Sequence, residues 1–117
     1  MRGSFDQLPA DELYAGVLRR TFSSSRATVT LYSFEAGAEF PRHRHPQEQI
    51  TVVEAGEAEI TIGDRTESLS AGGWAIVEPE VEHGLRAGPA GARVLAVVVP
   101  RRDHPGEYTV LQSGADA

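Results

Sequence analysis

The chain has 117 residues, 40% of them hydrophobic and 24% charged, a composition expected to fold as a single domain over residues 1–117 and not that of a disordered or two-domain chain. The formal charge is −6 and every basic residue is arginine, so phosphate backbones and anionic lipid are repelled and neither nucleic acid nor a membrane is an expected partner. Cysteine is absent, which excludes disulfides and thiolate metal sites and restricts any metal to nitrogen and oxygen ligands.

The start, Met1-Arg2-Gly3-Ser4-Phe5-Asp6, lacks the apolar core of a secretory signal, and the expected compartment is the cytoplasm. Asp11 to Arg20 carries the one helical hint, with Leu13 and Val17 four apart and Gly16 between them. Residues 27–34, rich in β-branched and aromatic types, read as a strand. Gly37 and Pro41 break regular structure. Ile50 to Val53 and Ala58 to Ile62 read as two strands joined by a tight connection at Ala55-Gly56. In the second, Ala58, Ile60 and Ile62 alternate with Glu59 and Thr61, the period of a half-buried strand. Gly63-Asp64 predicts a hairpin returning through Thr66 to Leu69.

After Gly72-Gly73, Trp74 to Val77 reads as a short buried strand, Gly84 through Gly91 as loop, and Arg93 to Val99 as the most apolar strand. Tyr108 to Leu111 is a candidate edge strand, and Ser113 to Ala117 a frayed tail. Even the longest apolar run, Val94 to Val99, is far short of the roughly 20 residues that span a bilayer. Many short strands with turn signals every 8–12 residues predict an all-β sandwich or barrel, with a short N-terminal segment before a barrel at roughly 27–111.

Three of the four histidines stand where they can cooperate. His43 and His45 are one residue apart, so on a strand both rings leave the same face. Gln49, four residues beyond His45, has the same parity, and His83 sits at a strand end before Gly84. Three imidazoles and one side-chain oxygen with open positions make a plausible catalytic metal site. His104, between Asp103 and Pro105, reads as a surface histidine. Glu78, Glu80 and Glu82 read as a solvated acidic face, Trp74 as core, and Arg42 and Arg44 as solvated or paired with Glu48.

The spacing carries a resemblance. Gly37, His43, His45, Gln49 and Gly56 resemble the first motif of the cupin family, which usually has glutamate where Gln49 stands. Gly72 followed by Glu78-Pro79-Glu80-Val81-Glu82-His83-Gly84 resembles the second motif, usually written with proline and glycine at the places of Glu78 and Glu80; its closing asparagine is replaced by Ala87. The resemblance implies a double-stranded β-helix, a six-stranded jelly-roll cupin barrel with one metal in its mouth. It implies His43, His45, Gln49 and His83 as ligands, with Glu48 the rival for the third place.

The run His45-Pro46-Gln47-Glu48-Gln49 is similar to that of the three-histidine, one-glutamine cupins that open unsaturated uronates in pectin degradation, and of polyketide-cyclase cupins. A neutral amide in place of a carboxylate raises the charge of a divalent site from +1 to +2 and favours Lewis-acid chemistry. The uronate-processing members carry an aspartate and a phenylalanine on the last strand and an arginine after it, where this chain has Ala96, Val98 and Arg102, or Arg101 by a one-residue slip. Loss of the acid speaks against a uronate substrate and leaves a more apolar wall.

The expected function is therefore that of a metal-dependent cupin acting on a small oxygenated organic molecule by isomerisation, ring opening or cyclisation, with Arg102 and Tyr32 as candidates to orient the substrate. A dioxygenase and a non-catalytic small-molecule-binding cupin are the alternatives. Imidazole and amide ligands accept zinc, nickel, iron, cobalt or manganese. Small jelly rolls of this family commonly pair through edge strands, so a homodimer is expected.

Overall fold

A computed structural model describes residues 1–103 together with Thr109 and Val110. His104, Tyr108, Leu111 and the tail from Ser113 to Ala117 lie outside the described residues. Among the described residues a 3-10 turn, Phe5–Gln7, precedes nine strands: β1 (Asp11–Tyr14), β2 (Val17–Ser23), β3 (Thr28–Phe34), β4 (Glu39–Arg44), β5 (Glu48–Ile62), β6 (Arg65–Ser70), β7 (Trp74–Val77), β8 (His83–Val99) and β9 (Thr109–Val110). Every pairing is antiparallel. Among the described residues no helix is long and apolar enough to cross a membrane.

Two long strands make the barrel. β5 and β8 pair along almost their whole length, from Glu48 opposite Val99 to Ile62 opposite His83. On its other edge β8 meets β3 with its second half and β4 with its first, while β5 meets β7 with its first half and β6 with its second. Each long strand thus runs through both sheets of a jelly roll, β7-β5-β8-β3-β2-β1 and β6-β5-β8-β4-β9. The inner faces bury Val17, Tyr32, Phe34, Phe40, Val53 and Val94 as a common core.

Several expectations change. Asp11 to Arg20 is a hairpin, not a helix, because Gly16 adopts φ 77° and the four-residue spacing of Leu13 and Val17 bridges a turn between two strands. The break at Ala55-Gly56 is a bulge within a single strand, with the register shifting on both sides of it. There Gly56 has φ 74°, and a Cβ would collide with the Gly91 carbonyl oxygen. Gly84 to Gly91 is the first half of β8, not a loop. Its glycines serve close approach, since a Cβ on Gly84 or Gly88 would lie 3.2 Å from the carbonyl oxygen of Phe40 or Glu57 across the sheet. The strand count rises from six to nine among the described residues.

Trp74 to Val77 is a strand, but of its apolar residues only Val77 is buried; Trp74 is 64% and Ile76 45% exposed. Both lie on the outer face of β7. Arg42 and Arg44 pair with Glu82 (2.7 Å) and Glu80 (3.8 Å), so the acidic run after Val77 is partly neutralised by the strand beside it.

Candidate metal centre

The histidines converge at one end of the barrel because three strands end there. His43 lies on β4, His45 follows its last residue, and His83 opens β8 directly opposite His43. Gln49 is the second residue of β5 and pairs with Val98 of β8. The β4 register shifts between Phe40 and His43, a bulge that accommodates Pro41, which has no ladder N–H to give. The three rings are 4%, 2% and 2% exposed for His43, His45 and His83. Their centroids are 4.1 Å (His43–His83), 4.8 Å (His45–His83) and 5.6 Å (His43–His45) apart, and one ring nitrogen from each lies within 4.8 Å of the others.

Hydrogen bonding fixes that nitrogen for two of the rings. A backbone carbonyl can only accept, so the Nδ1 that meets one carries the proton of a neutral ring. His43 Nδ1 donates to Pro41 O (2.8 Å) and His83 Nδ1 to Val81 O (2.9 Å), which leaves their lone pairs on Nε2. His45 has an oxygen at each nitrogen, Gln47 O at Nδ1 and Gln49 Oε1 at Nε2, both at 3.0 Å, and its one proton serves either contact. Burial pushes His43 down to about 3, helped by the neighbouring His83, and pushes His83 down to about 4. Burial and then the Arg102 guanidinium lower His45 as well. All three rings are therefore neutral at pH 7.

The result is a cluster of acceptors. His83 Nε2 is buried with no hydrogen-bond partner among the described residues. Gln49 Oε1, also an acceptor, lies 3.0 Å from His45 Nε2, while the amide nitrogen of Gln49 donates to Thr51 Oγ1 at 2.9 Å. Lone pairs buried and turned toward one another are costly unless a cation sits among them. Carbonyls that accept from the other ring nitrogen and hold its orientation are the usual companions of metal-binding histidines. The donor set, three converging imidazoles and an amide oxygen, fits a divalent transition metal ion.

Of the sequence candidates, His43, His45, His83 and Gln49 come together, whereas Glu48 shares β5 with Gln49 at the opposite parity. Tyr32 is buried and, with Phe34, Phe40, Val94 and Ala96, walls the cavity beside His43, His83 and Gln49; the cavity holds about 30 Å³, room for an ion and about one or two waters. Arg102 is buried but lines a different cavity, with Arg19, Thr21, Ser23 and Thr28; its charge nevertheless lowers all three imidazoles. Sequence reasoning missed Thr51 and the carbonyls of Pro41, Gln47 and Val81. Thr51 has a signal in retrospect, since it lies two residues after Gln49 on the same face of β5.

A search of curated protein sequences gave no match. The family model described as a cupin domain matches residues 30–98, more than half of the chain. Among solved structures the chain is similar to an RmlC-like cupin from Shewanella frigidimarina, with 24% identity over 86% of this chain and 91% of that one and a TM-score of 0.80. It is similar to KdgF from Halomonas sp., with 24% identity over 87% of this chain and 97% of that one and a TM-score of 0.79. It also matches a mutant oxalate decarboxylase of Bacillus subtilis at 18% identity and a TM-score of 0.87, where 97% of this chain spans 33% of that one. At these identities the likeness is one of fold, and together with the family match over β3 to β8 it establishes that the chain belongs to the cupin family.

Proposed function

We propose that the protein is a metal-dependent cupin enzyme that acts on a small oxygenated organic molecule by Lewis-acid chemistry: isomerisation, ring opening or cyclisation. His43, His45, His83 and Gln49 would hold one divalent transition metal ion (zinc, nickel, iron, cobalt or manganese). When bound, such an ion polarises a carbonyl, enol or hydroxyl oxygen of the substrate and stabilises the negative charge that develops there. The observation that carries the reading is the convergence of three buried imidazoles, with His83 Nε2 lacking a hydrogen-bond partner among the described residues.

The chain's own residues supply the rest. Four neutral ligands leave the charge of the ion undiminished. The carbonyls of Pro41, Gln47 and Val81 hold the rings in register, so no reorganisation is needed when charge develops. Tyr32, Phe34, Phe40 and Val94 wall off water on the inner side. Tyr32 and Arg102 are the groups proposed to orient the substrate, the first as part of the cavity wall, the second through a positive charge that already reaches the imidazoles. No carboxylate lines the cavity among the described residues, which favours rearrangement over base-assisted hydrolysis. Ala96, in that wall and opposite Thr51 of β5, offers no acid to an unsaturated uronate.

The test is metal analysis and turnover with one variant. The purified protein is expected to carry close to one equivalent of metal, and His83→Ala to lose metal and turnover of carbonyl or enol substrates together. Turnover that survives without metal rules the mechanism out. A dioxygenase is the second reading, favoured by a cavity small enough for a diatomic molecule; oxygen uptake with enol substrates distinguishes it. Metal binding with neither turnover nor oxygen uptake would leave a binding module. The same reading takes the protein as a cytoplasmic homodimer paired at an edge strand. Exposed Trp74 and Ile76 on β7, beside Ile50 of β5, support that pairing, and sedimentation of Trp74→Glu against the unaltered chain tests it.

A further inference from the structure

We propose that Thr51 is a positioning residue: its hydroxyl oxygen accepts from the amide nitrogen of Gln49 and, through that hydrogen bond, strengthens the hold of the amide oxygen on a cation among the three imidazoles. The inference rests on the reading of Gln49 as the fourth donor.

A carboxamide has two ends of similar shape and opposite character, an acceptor at Oε1 and a donor at Nε2. Only the oxygen end can serve a cation. The structure turns that end toward the imidazoles, with Gln49 Oε1 in hydrogen-bond contact with His45 Nε2 at 3.0 Å and Gln49 Nε2 donating to Thr51 Oγ1 at 2.9 Å. With the oxygen inward, the amide NH₂ faces a buried part of the barrel and needs an acceptor. Thr51, itself 1% exposed, supplies it from the same strand face two residues on. The residues that pair with Thr51 on either side, Ala75 of β7 and Ala96 of β8, are both alanines and bring no rival hydrogen-bonding group.

The thermodynamic consequence is specific. A hydroxyl can serve either end of an amide, because its proton rotates to suit. What metal affinity reads is therefore the difference in strength of the Thr51–Gln49 hydrogen bond with and without the cation. A cation on Oε1 withdraws electron density from the amide and sharpens its N–H as a donor, so the bond to Thr51 is stronger in the loaded state. Thr51 thereby raises affinity without touching the metal.

The experiment is a double-variant cycle read by Co(II) and Zn(II) affinity in competition with a chelating dye. Thr51→Val keeps the shape and removes the acceptor, and is expected to weaken binding about tenfold, the lower end of what outer-shell partners contribute. Thr51→Ser is expected to restore affinity to within about threefold. Thr51→Ala repeats the test should the second methyl of valine crowd the site. In a Gln49→Leu background Thr51→Val is expected to change nothing, because no amide remains to hold. Equal weakening in both backgrounds, or none in the unaltered one, overturns the proposal. If Gln49→Leu itself leaves affinity unchanged, it is the assignment of Gln49 that fails. The thermal midpoint of the metal-free protein serves as control, since a merely structural role for Thr51 would lower it equally in both backgrounds.

Discussion

Two polar regions lie inside this barrel, and they are satisfied in opposite ways. Toward β2, donors meet acceptors within the chain: Arg19 binds Asp11 through two nitrogens at 3.2 and 2.7 Å, the hydroxyls of Thr21 and Thr30 and of Ser23 and Thr28 pair at 3.1 and 2.8 Å, and the Arg102 N–H reaches Thr28 Oγ1 at 2.9 Å. Toward β4, three imidazoles and an amide oxygen converge, and the Nδ1 of each ring lies against a backbone carbonyl. The first arrangement pairs these donors with acceptors inside the chain and reads as structure. The second leaves the buried His83 Nε2 with no hydrogen-bond partner among the described residues, which is why it reads as a site.

That contrast makes predictions of decreasing size. Removing one acceptor, His83→Ala, is expected to lower metal affinity by more than the about 10–100-fold that an outer-shell partner contributes, measured by the metal retained after dialysis. Undiminished retention would mean that the rings are packing groups. Protons provide the next test. Unfolded histidine titrates near 6.5, whereas His43 and His83 remain neutral down to about 3 and 4. Between those values the unfolded chain binds the extra protons. The metal-free protein therefore keeps the stability due to the neutral rings above pH 6.5 and loses it as pH falls toward 4, by about 1 kcal/mol per pH unit for each ring. Urea midpoints from pH 7 to 4.5 check the sign, and a flat profile would contradict it. Saturating metal, at about 100 times its dissociation constant, is expected to add about 2.7 kcal/mol, a rise of about 10 °C in Tm that a chelator reverses.

The two regions were not equally legible in the sequence. His43 and His45 announce themselves by parity on a strand, and His83 by its place between a turn and Gly84. Their anchoring carbonyls do not, because Pro41 O and Val81 O depend on a bulge and a turn that side-chain types do not encode. Thr51 looked like any threonine on a strand. Gly84 and Gly88 read as breakers, since a sequence does not distinguish a glycine that turns the chain from one that lets a neighbouring strand approach. Trp74 read as core because apolar character says which residues avoid water but not which face of an edge strand a partner covers. The β2 region was hidden altogether: Asp11 and Arg19 sit eight apart, and only the β1–β2 hairpin, misread as helical, brings them together.

The smallest prediction bears on whether the two regions are independent. Asp11 is exposed and its carboxylate is held below the ordinary range by the hydrogen bond from Arg19. Arg19 is largely buried, so the pair is neither a free surface bridge nor a fully desolvated one. Asp11→Asn keeps the shape and one acceptor but removes the charge, and is expected to cost about 1 kcal/mol of stability, a value tempered by solvent screening on the Asp11 side. Metal affinity should be unchanged, because the loss is confined to a pair that the metal ligands do not touch. The Arg102 charge that reaches the imidazoles lies in the same cavity wall as Arg19, and through it the two regions could still communicate. A fall in metal affinity in Asp11→Asn, at constant occupancy of the folded state, would show that the arginines tune the histidines and that the barrel holds one continuous polar system in place of two.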